Sequence, residues 1–145
     1  MLRGNHSAKI DDKGRLKVPA EFRGLIEEKY GPKVFVTSLD GEFVRIYPMH
    51  VWETIESRLA AMPSTDIRKR FLHVVNYYGQ SGELDAQGRV LVHPRLRDAA
   101  QIVGEVDVLG MISYLDVWNH DRLAGRLAAR PLSDHELDSL ADAGI

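Results

Sequence analysis

Ile10-Asp11-Asp12-Lys13-Gly14-Arg15-Leu16-Lys17-Val18 returns downstream as Leu84-Asp85-Ala86-Gln87-Gly88-Arg89-Val90-Leu91-Val92. The shared frame is apolar-Asp-x-x-Gly-Arg-apolar-x-Val. Each copy then runs into a proline (Pro19, Pro94), a large apolar residue (Phe22, Leu96) and an arginine (Arg23, Arg97). Farther on, Phe43-Val44-Arg45-Ile46-Tyr47 matches Tyr114-Leu115-Asp116-Val117-Trp118. A single Asp-x-x-Gly-Arg arises by chance, but two with the same downstream pattern mark an internal repeat. The chain divides into a first unit over 1–48, an insertion over 49–79, a second unit over 80–130 and an acidic tail over 131–145.

Each unit reads alike. In Asp-x-x-Gly the aspartate caps backbone amides and the glycine supplies positive φ, so Asp11, Gly14, Asp85 and Gly88 shape two turns. Alternation follows, with Leu16 and Val18 on one face and Arg15 and Lys17 on the other, which predicts a half-buried strand. Pro19 opens a short helix with Phe22, Leu25, Ile26 and Tyr30 on its buried face, stopped by Gly31. His93 stands where the first copy has Pro19, so the start of the second helix is not fixed by the pattern. Val34-Phe35-Val36 and 43–47 form a hairpin around Asp40-Gly41, answered by Val106–Met111 and Tyr114–Trp118 in the second unit. In the insertion, Val51, Trp52, Ile55, Leu59 and Met62 recur at helical spacing up to Pro63. Thr65 and its neighbours cap a second helix carrying Ile67, Phe71, Val74, Val75 and Tyr78, ending at Gly79. A late helix runs over 121–130 to Pro131. Ser133-Asp134-His135-Glu136 is a capping box for a last, weakly apolar helix that frays.

The chain has 145 residues, 44% hydrophobic and 28% charged, which is the composition of a globular domain and not of a disordered one. No apolar run approaches the roughly 18 residues of a membrane span. No apolar segment follows the basic N-terminus, so no signal peptide is expected, and Asn5-His6-Ser7 carries no meaning as a sequon. A cytoplasmic protein without a membrane partner is the expectation. The absence of cysteine excludes disulfides, thiolate catalysis and zinc–thiolate sites. Formal net charge is −2, but it is unevenly spread. Residues 1–23 and 66–97 are each +3, whereas 132–145 is −4. Local charge, not the average, meets a phosphate backbone.

Enzymatic motifs fail on inspection. His135-Glu136 begins HExxH, but Ser139 stands where the second ligand should be. Gly79-Gln80-Ser81-Gly82-Glu83 lacks the last glycine of a nucleophile elbow. The six histidines have no metal spacing. Asp11 and Asp85 read as turn caps before they read as a catalytic carboxylate pair. The sequence predicts neither an enzyme, a metal, a cofactor nor a small-molecule substrate.

Lys13, Arg15 and Lys17, at alternate positions, are expected to project from one face. One such copy reads equally as a solvated hairpin. Both copies, however, keep an arginine directly after the turn glycine, as a position gripping phosphate or guanine edges requires.

At these residues the chain resembles the MraZ family. Met1-Leu2-Arg3-Gly4, then Ile10-Asp11-x-Lys13-Gly14-Arg15-Leu16-x-x-Pro19-x-x-Phe22-Arg23, resembles the start of its members. Gly82-Glu83-Leu84-Asp85-x-Gln87-Gly88-Arg89-Val90 resembles their second motif, and Val117-Trp118 closes the second unit as theirs does. The resemblance implies an α+β fold, a double swapped-hairpin, AbrB-like barrel with flanking helices. It further implies a bacterial transcription regulator, nucleoid-associated, that forms a homo-oligomeric ring. Such a ring would bind double-stranded DNA at promoter direct repeats before the division and cell-wall gene cluster, its own operon included. By similarity Arg15 and Arg89 contact DNA and Lys13 supports them, while Arg3, Lys9 and Lys17 add phosphate contacts. Gln87, which takes the lysine's place in the second copy, is counted with them as a DNA-contacting residue, and Leu91 takes the place of Lys17, so the second face is less basic. The rival reading is an oligomeric scaffold whose basic face binds an acidic protein partner; the salt dependence of DNA binding separates the two.

Overall fold

The computed structural model describes residues 1–145. Its first half runs β1 (Leu2–Lys9), β2 (Arg15–Lys17), α1 (Ala20–Tyr30), β3 (Lys33–Thr37) and β4 (Val44–Pro48). The insertion supplies α2 (Met49–Ala61) and α3 (Asp66–Tyr77). The second half repeats the order with β5 (Gln80–Glu83), β6 (Arg89–Leu91), α4 (Pro94–Ala100), β7 (Glu105–Ile112) and β8 (Leu115–Asn119). Two further helices follow, α5 (His120–Ala129) and α6 (Asp134–Asp142).

The halves fold through one another. All the ladders are antiparallel, and the six-stranded sheet has the order β1-β7-β8-β4-β3-β5. Each unit's first strand therefore pairs with the third strand of the other, and β4 meets β8 at the centre. The order reads the same from both ends, which is a pseudo-two-fold axis. On that axis β2 and β6 form a separate ribbon, Leu16 opposite Val90. The resemblance implies a barrel, but the ladder does not close. β1 and β5 remain the ends of the large sheet, and only the single Ile10–Leu16 bridge ties β1 to the ribbon. Ribbons this short leave no residues to continue the pairing.

One apolar cluster of 20 buried residues draws on both units, pairing Leu16 with Val90, Val18 with Val92 and Phe22 with Leu96. The alternation read from the sequence thus points Leu16 and Val90 inward and leaves the arginine face outside. α1 buries Phe22 and Ile26, but Leu25 lies on its open side, contrary to expectation. The proline shift does not disturb α4: Pro94 takes the first helical position, and the ring nitrogen of His93 accepts a long hydrogen bond from the Arg95 amide.

The insertion packs on the outer face of the β3–β4 hairpin. There Phe35, Tyr47, Trp52 and Val75 make a second, smaller cluster, with Phe35 stacked on Trp52 at 4.7 Å. Thr37 donates its hydroxyl to the Val75 carbonyl at 2.6 Å and closes the joint. Trp52 of α2 and Val75 of α3 are buried, and Val51, Ile55, Phe71 and Val74 of the expected apolar stripes pack partly buried against them; of those stripes only Met62 and Ile67 are exposed, Ile67 by 70%. The capping box of Ser133 and Glu136 is formed, and α6 is helical with every residue exposed. No helix is long and apolar enough to cross a membrane.

Candidate nucleic-acid interface

The repeated motif builds the same turn twice. The Asp11 carboxylate accepts from the Lys13 amide at 3.0 Å and the Arg15 amide at 2.9 Å through one oxygen, and from Arg15 Nε at 2.8 Å through the other. Asp85 accepts from the Gln87 amide, the Arg89 amide and Arg89 Nε, each at 2.9 Å. Gly14 and Gly88 sit at φ +82° and +75°. The Arg15 and Arg89 backbone amides, ahead of the guanidinium contacts, hold the Asp11 and Asp85 carboxyls below the usual carboxylate range. Each aspartate therefore caps a turn and also fixes the orientation of the arginine that follows it. Only Nε is engaged, which leaves both Nη groups of each guanidinium free to bind outward.

Register sets what the ribbon displays. Arg15 lies opposite Leu91 and Lys17 opposite Arg89, so these four side chains share the outer face while Leu16 and Val90 fill the inner one. An open cleft of about 680 Å³ is lined by Lys9, Ile10, Asp11, Arg15, Lys17, Gln87 and Arg89. Five of the seven residues expected to touch DNA thus converge: Lys9, Arg15, Lys17, Gln87 and Arg89. Lys13 stands outside on the exposed tip of its turn, so the strand does not carry all three cations of the first motif on one face. Arg3 is six residues before Lys9 on β1, about 20 Å away at strand rise, and does not join them.

The +3 run over 66–97 also disperses in space. Arg68 donates to the Leu59 carbonyl, Arg70 pairs with Asp66, Arg95 lies over the Tyr77 ring, and only Arg89 reaches the cleft.

The family model described as "MraZ protein, putative antitoxin-like" matches residues 1–75 and 79–135. The chain belongs to the MraZ family. It is 47% identical over 146 residues to the "Transcriptional regulator MraZ" of Acidobacterium capsulatum, and 48% identical over 147 residues to the protein so named in Koribacter versatilis. Both alignments cover the whole of each chain. The relative of that name in Acidithiobacillus ferrooxidans is 36% identical over 129 residues, covering 84% of this chain and 85% of its own. The span matched to MraZ contains both turns, the ribbon and every residue of the cleft.

Two side chains of this MraZ chain act at the site without having been assigned to it from sequence. Arg23 donates to the Ala86 carbonyl at 2.7 Å, in the turn of the opposite unit. Arg97 donates to the Val92 carbonyl at 3.0 Å and lies flat over Gly14, so that a Cβ there would come within 2.6 Å of its guanidinium. At Gly88 the nearest neighbour is the Arg23 side chain, whose Cδ would lie 2.6 Å and whose Cζ 3.4 Å from a Cβ there. The repeat had displayed both arginines at equivalent positions, and that equivalence was the available signal. Each unit's helix thereby clamps the other unit's turn.

Proposed function

We propose that this chain is a sequence-specific DNA-binding transcription regulator whose β2–β6 ribbon enters the major groove. The name borne by its relatives supports the regulatory role. The observation that carries the DNA contact is the pair of aspartate-oriented guanidinium groups, Arg15 and Arg89, displayed on one two-stranded ribbon about the pseudo-two-fold axis. A ribbon of this width fits the major groove, where a guanidinium with both Nη groups free matches guanine O6 and N7. Lys9 and Lys17 flank the arginines as phosphate contacts, Gln87 adds a polar group, and Lys13 and Arg3 engage phosphates farther out. The cross-unit pairing of strands supports assigning the fold to the AbrB-like swapped-hairpin class.

A single cleft with four cations binds weakly. Assembly into a homo-oligomeric ring makes later contacts intramolecular and gains on the order of 10²–10⁴ in avidity on direct repeats. The exposed apolar residues Met1, Leu25 and Ile112, which line a cavity of about 410 Å³, support such a subunit contact. The ring acts as a nucleoid-associated cytoplasmic regulator on promoter repeats of its own operon and the division and cell-wall cluster. Fluorescence anisotropy on the DNA upstream of its own gene, with excess unrelated competitor at two salt concentrations, tests this reading. Tight, competitor-resistant binding that Arg15→Ala abolishes while the oligomer persists is the expected result. A log–log salt slope of about −0.9 per neutralised phosphate accompanies it. Binding erased equally by any competitor, or unchanged in Arg15→Ala, refutes it and favours the scaffold with an acidic protein partner.

A further inference from the structure

We infer that Leu91 reads a thymine in the bound DNA, its side chain packing against the C5-methyl group. This rests on the DNA reading of the ribbon and adds a base contact that the cationic residues cannot make.

The ladder fixes the argument. Leu91 is the fourth residue of the outer face, directly opposite Arg15, and is 55% exposed. Its repeat equivalent is Lys17, which stands opposite Arg89. At one end of the ribbon an arginine is thus paired with an ammonium, at the other with an isobutyl group. Isolated exposed leucines are common on protein surfaces and need no explanation. This one shares the outer face with Arg15, Lys17 and Arg89, and stands where the first unit carries the Lys17 ammonium. In the major groove the thymine methyl is the apolar group that a leucine can meet. Opposite residues on one face hold their Cβ atoms about 5 Å apart. With base pairs stacked about 3.4 Å apart, Leu91 falls one or two steps from the guanine that Arg15 reads.

The asymmetry has a second consequence. A ribbon with identical ends would bind either way round, whereas Leu91 against Lys17, and Gln87 against Lys13, make its two ends read different sequences. Each subunit then has one polarity on the duplex, which suits direct rather than inverted repeats.

The test begins with a random-sequence duplex library selected on the wild-type protein. The enriched duplex is then resynthesised with dU for dT at one position at a time. One substitution is expected to weaken wild type about fourfold, the worth of one buried methyl group. The same substitution leaves Leu91→Ala binding unchanged. Leu91→Met keeps the sensitivity, and Leu91→Lys loses it while steepening the salt slope by about 1. Equal dU sensitivity in wild type and Leu91→Ala, or no sensitive position at all, overturns the inference and leaves the DNA reading standing. A change of oligomeric state in Leu91→Ala by light scattering also overturns it, by making Leu91 a subunit contact. A library with no enriched sequence overturns the DNA reading itself and the inference with it.

Discussion

Replacing Gly14 with alanine separates two costs that the structure places at one atom. At φ +82° a Cβ costs about 1–2 kcal/mol of left-handed strain. The same Cβ would stand 2.6 Å from the Arg97 guanidinium. That group is the far end of a flexible side chain and can move, but moving breaks its 3.0 Å hydrogen bond to the Val92 carbonyl. A half-buried charged donor makes that loss about 1 kcal/mol. Gly14→Ala should therefore lose about 2–3 kcal/mol in all. In an Arg97→Ala background only the strain remains, so the coupling between the two sites is about 1 kcal/mol. Gly104→Ala is the control, since its φ is +63° and a Cβ there meets nothing within 4 Å. Urea unfolding followed by the fluorescence of Trp52 and Trp118, across the four-variant cycle, measures the coupling. If Gly14→Ala costs the same with and without Arg97, the helix-to-turn clamp contributes nothing and the reasoning fails.

Arg45 and Asp116 are ladder partners on β4 and β8, joined by two hydrogen bonds of 2.8 and 3.2 Å, with the Arg45 guanidinium 4.2 Å from the Tyr114 ring. Arg45→Met leaves a buried carboxylate unpaired and should cost about 3–5 kcal/mol, with much of it regained in the Arg45→Leu/Asp116→Leu double variant. Burial pushes the Asp116 carboxyl up against the pull of Arg45, so the single variant should recover stability as pH falls and Asp116 takes a proton. A single variant as stable as wild type at neutral pH would contradict this. Because Asp11 and Asp85 are held below the usual carboxylate range, their contribution is complete above about pH 4 and lost as pH falls through their folded values. The Asp11→Asn/Asp85→Asn variant should flatten that acid limb of stability, measured by urea titration from neutral to acid pH, and an unaltered limb would exclude the turns as its source. His120 is raised by the Asp107 carboxylate, 2.7 Å away, so that pair stabilises below about pH 6.5 and its contribution fades as pH rises through the raised value. His120→Gln should remove this decline between slightly acid and slightly alkaline pH, and a decline of wild-type size would contradict the assignment.

The repeat, the two turns, both hairpins and the insertion helices were legible because each rests on local rules. Asp-x-x-Gly caps its own amides, and Leu16 and Val18 alternate against Arg15 and Lys17. Pairing between the units was not legible, since nothing local tells β1 to choose β7. β1 itself carries little signal, with only Leu2 and Ala8 buried among eight residues. β5 carries still less, Gln-Ser-Gly-Glu burying no side chain fully and pairing through its backbone alone. The cleft was partly legible. Repetition pointed to Arg15 and Arg89, but linear charge counts merged Arg68, Lys69 and Arg70 with Arg89, although α3 carries the first three elsewhere. Leu91 showed in sequence only as a lost lysine. It took the register to set it beside Arg15.

The most direct measurement is a crystal structure of the protein bound to the duplex selected from the random library. The outer face of the β2–β6 ribbon should lie in the major groove, with the Nη groups of Arg15 on a guanine edge and its Nε still on Asp11. DNA seated on another surface, such as the exposed cations of α3, with the ribbon left free, would contradict the account.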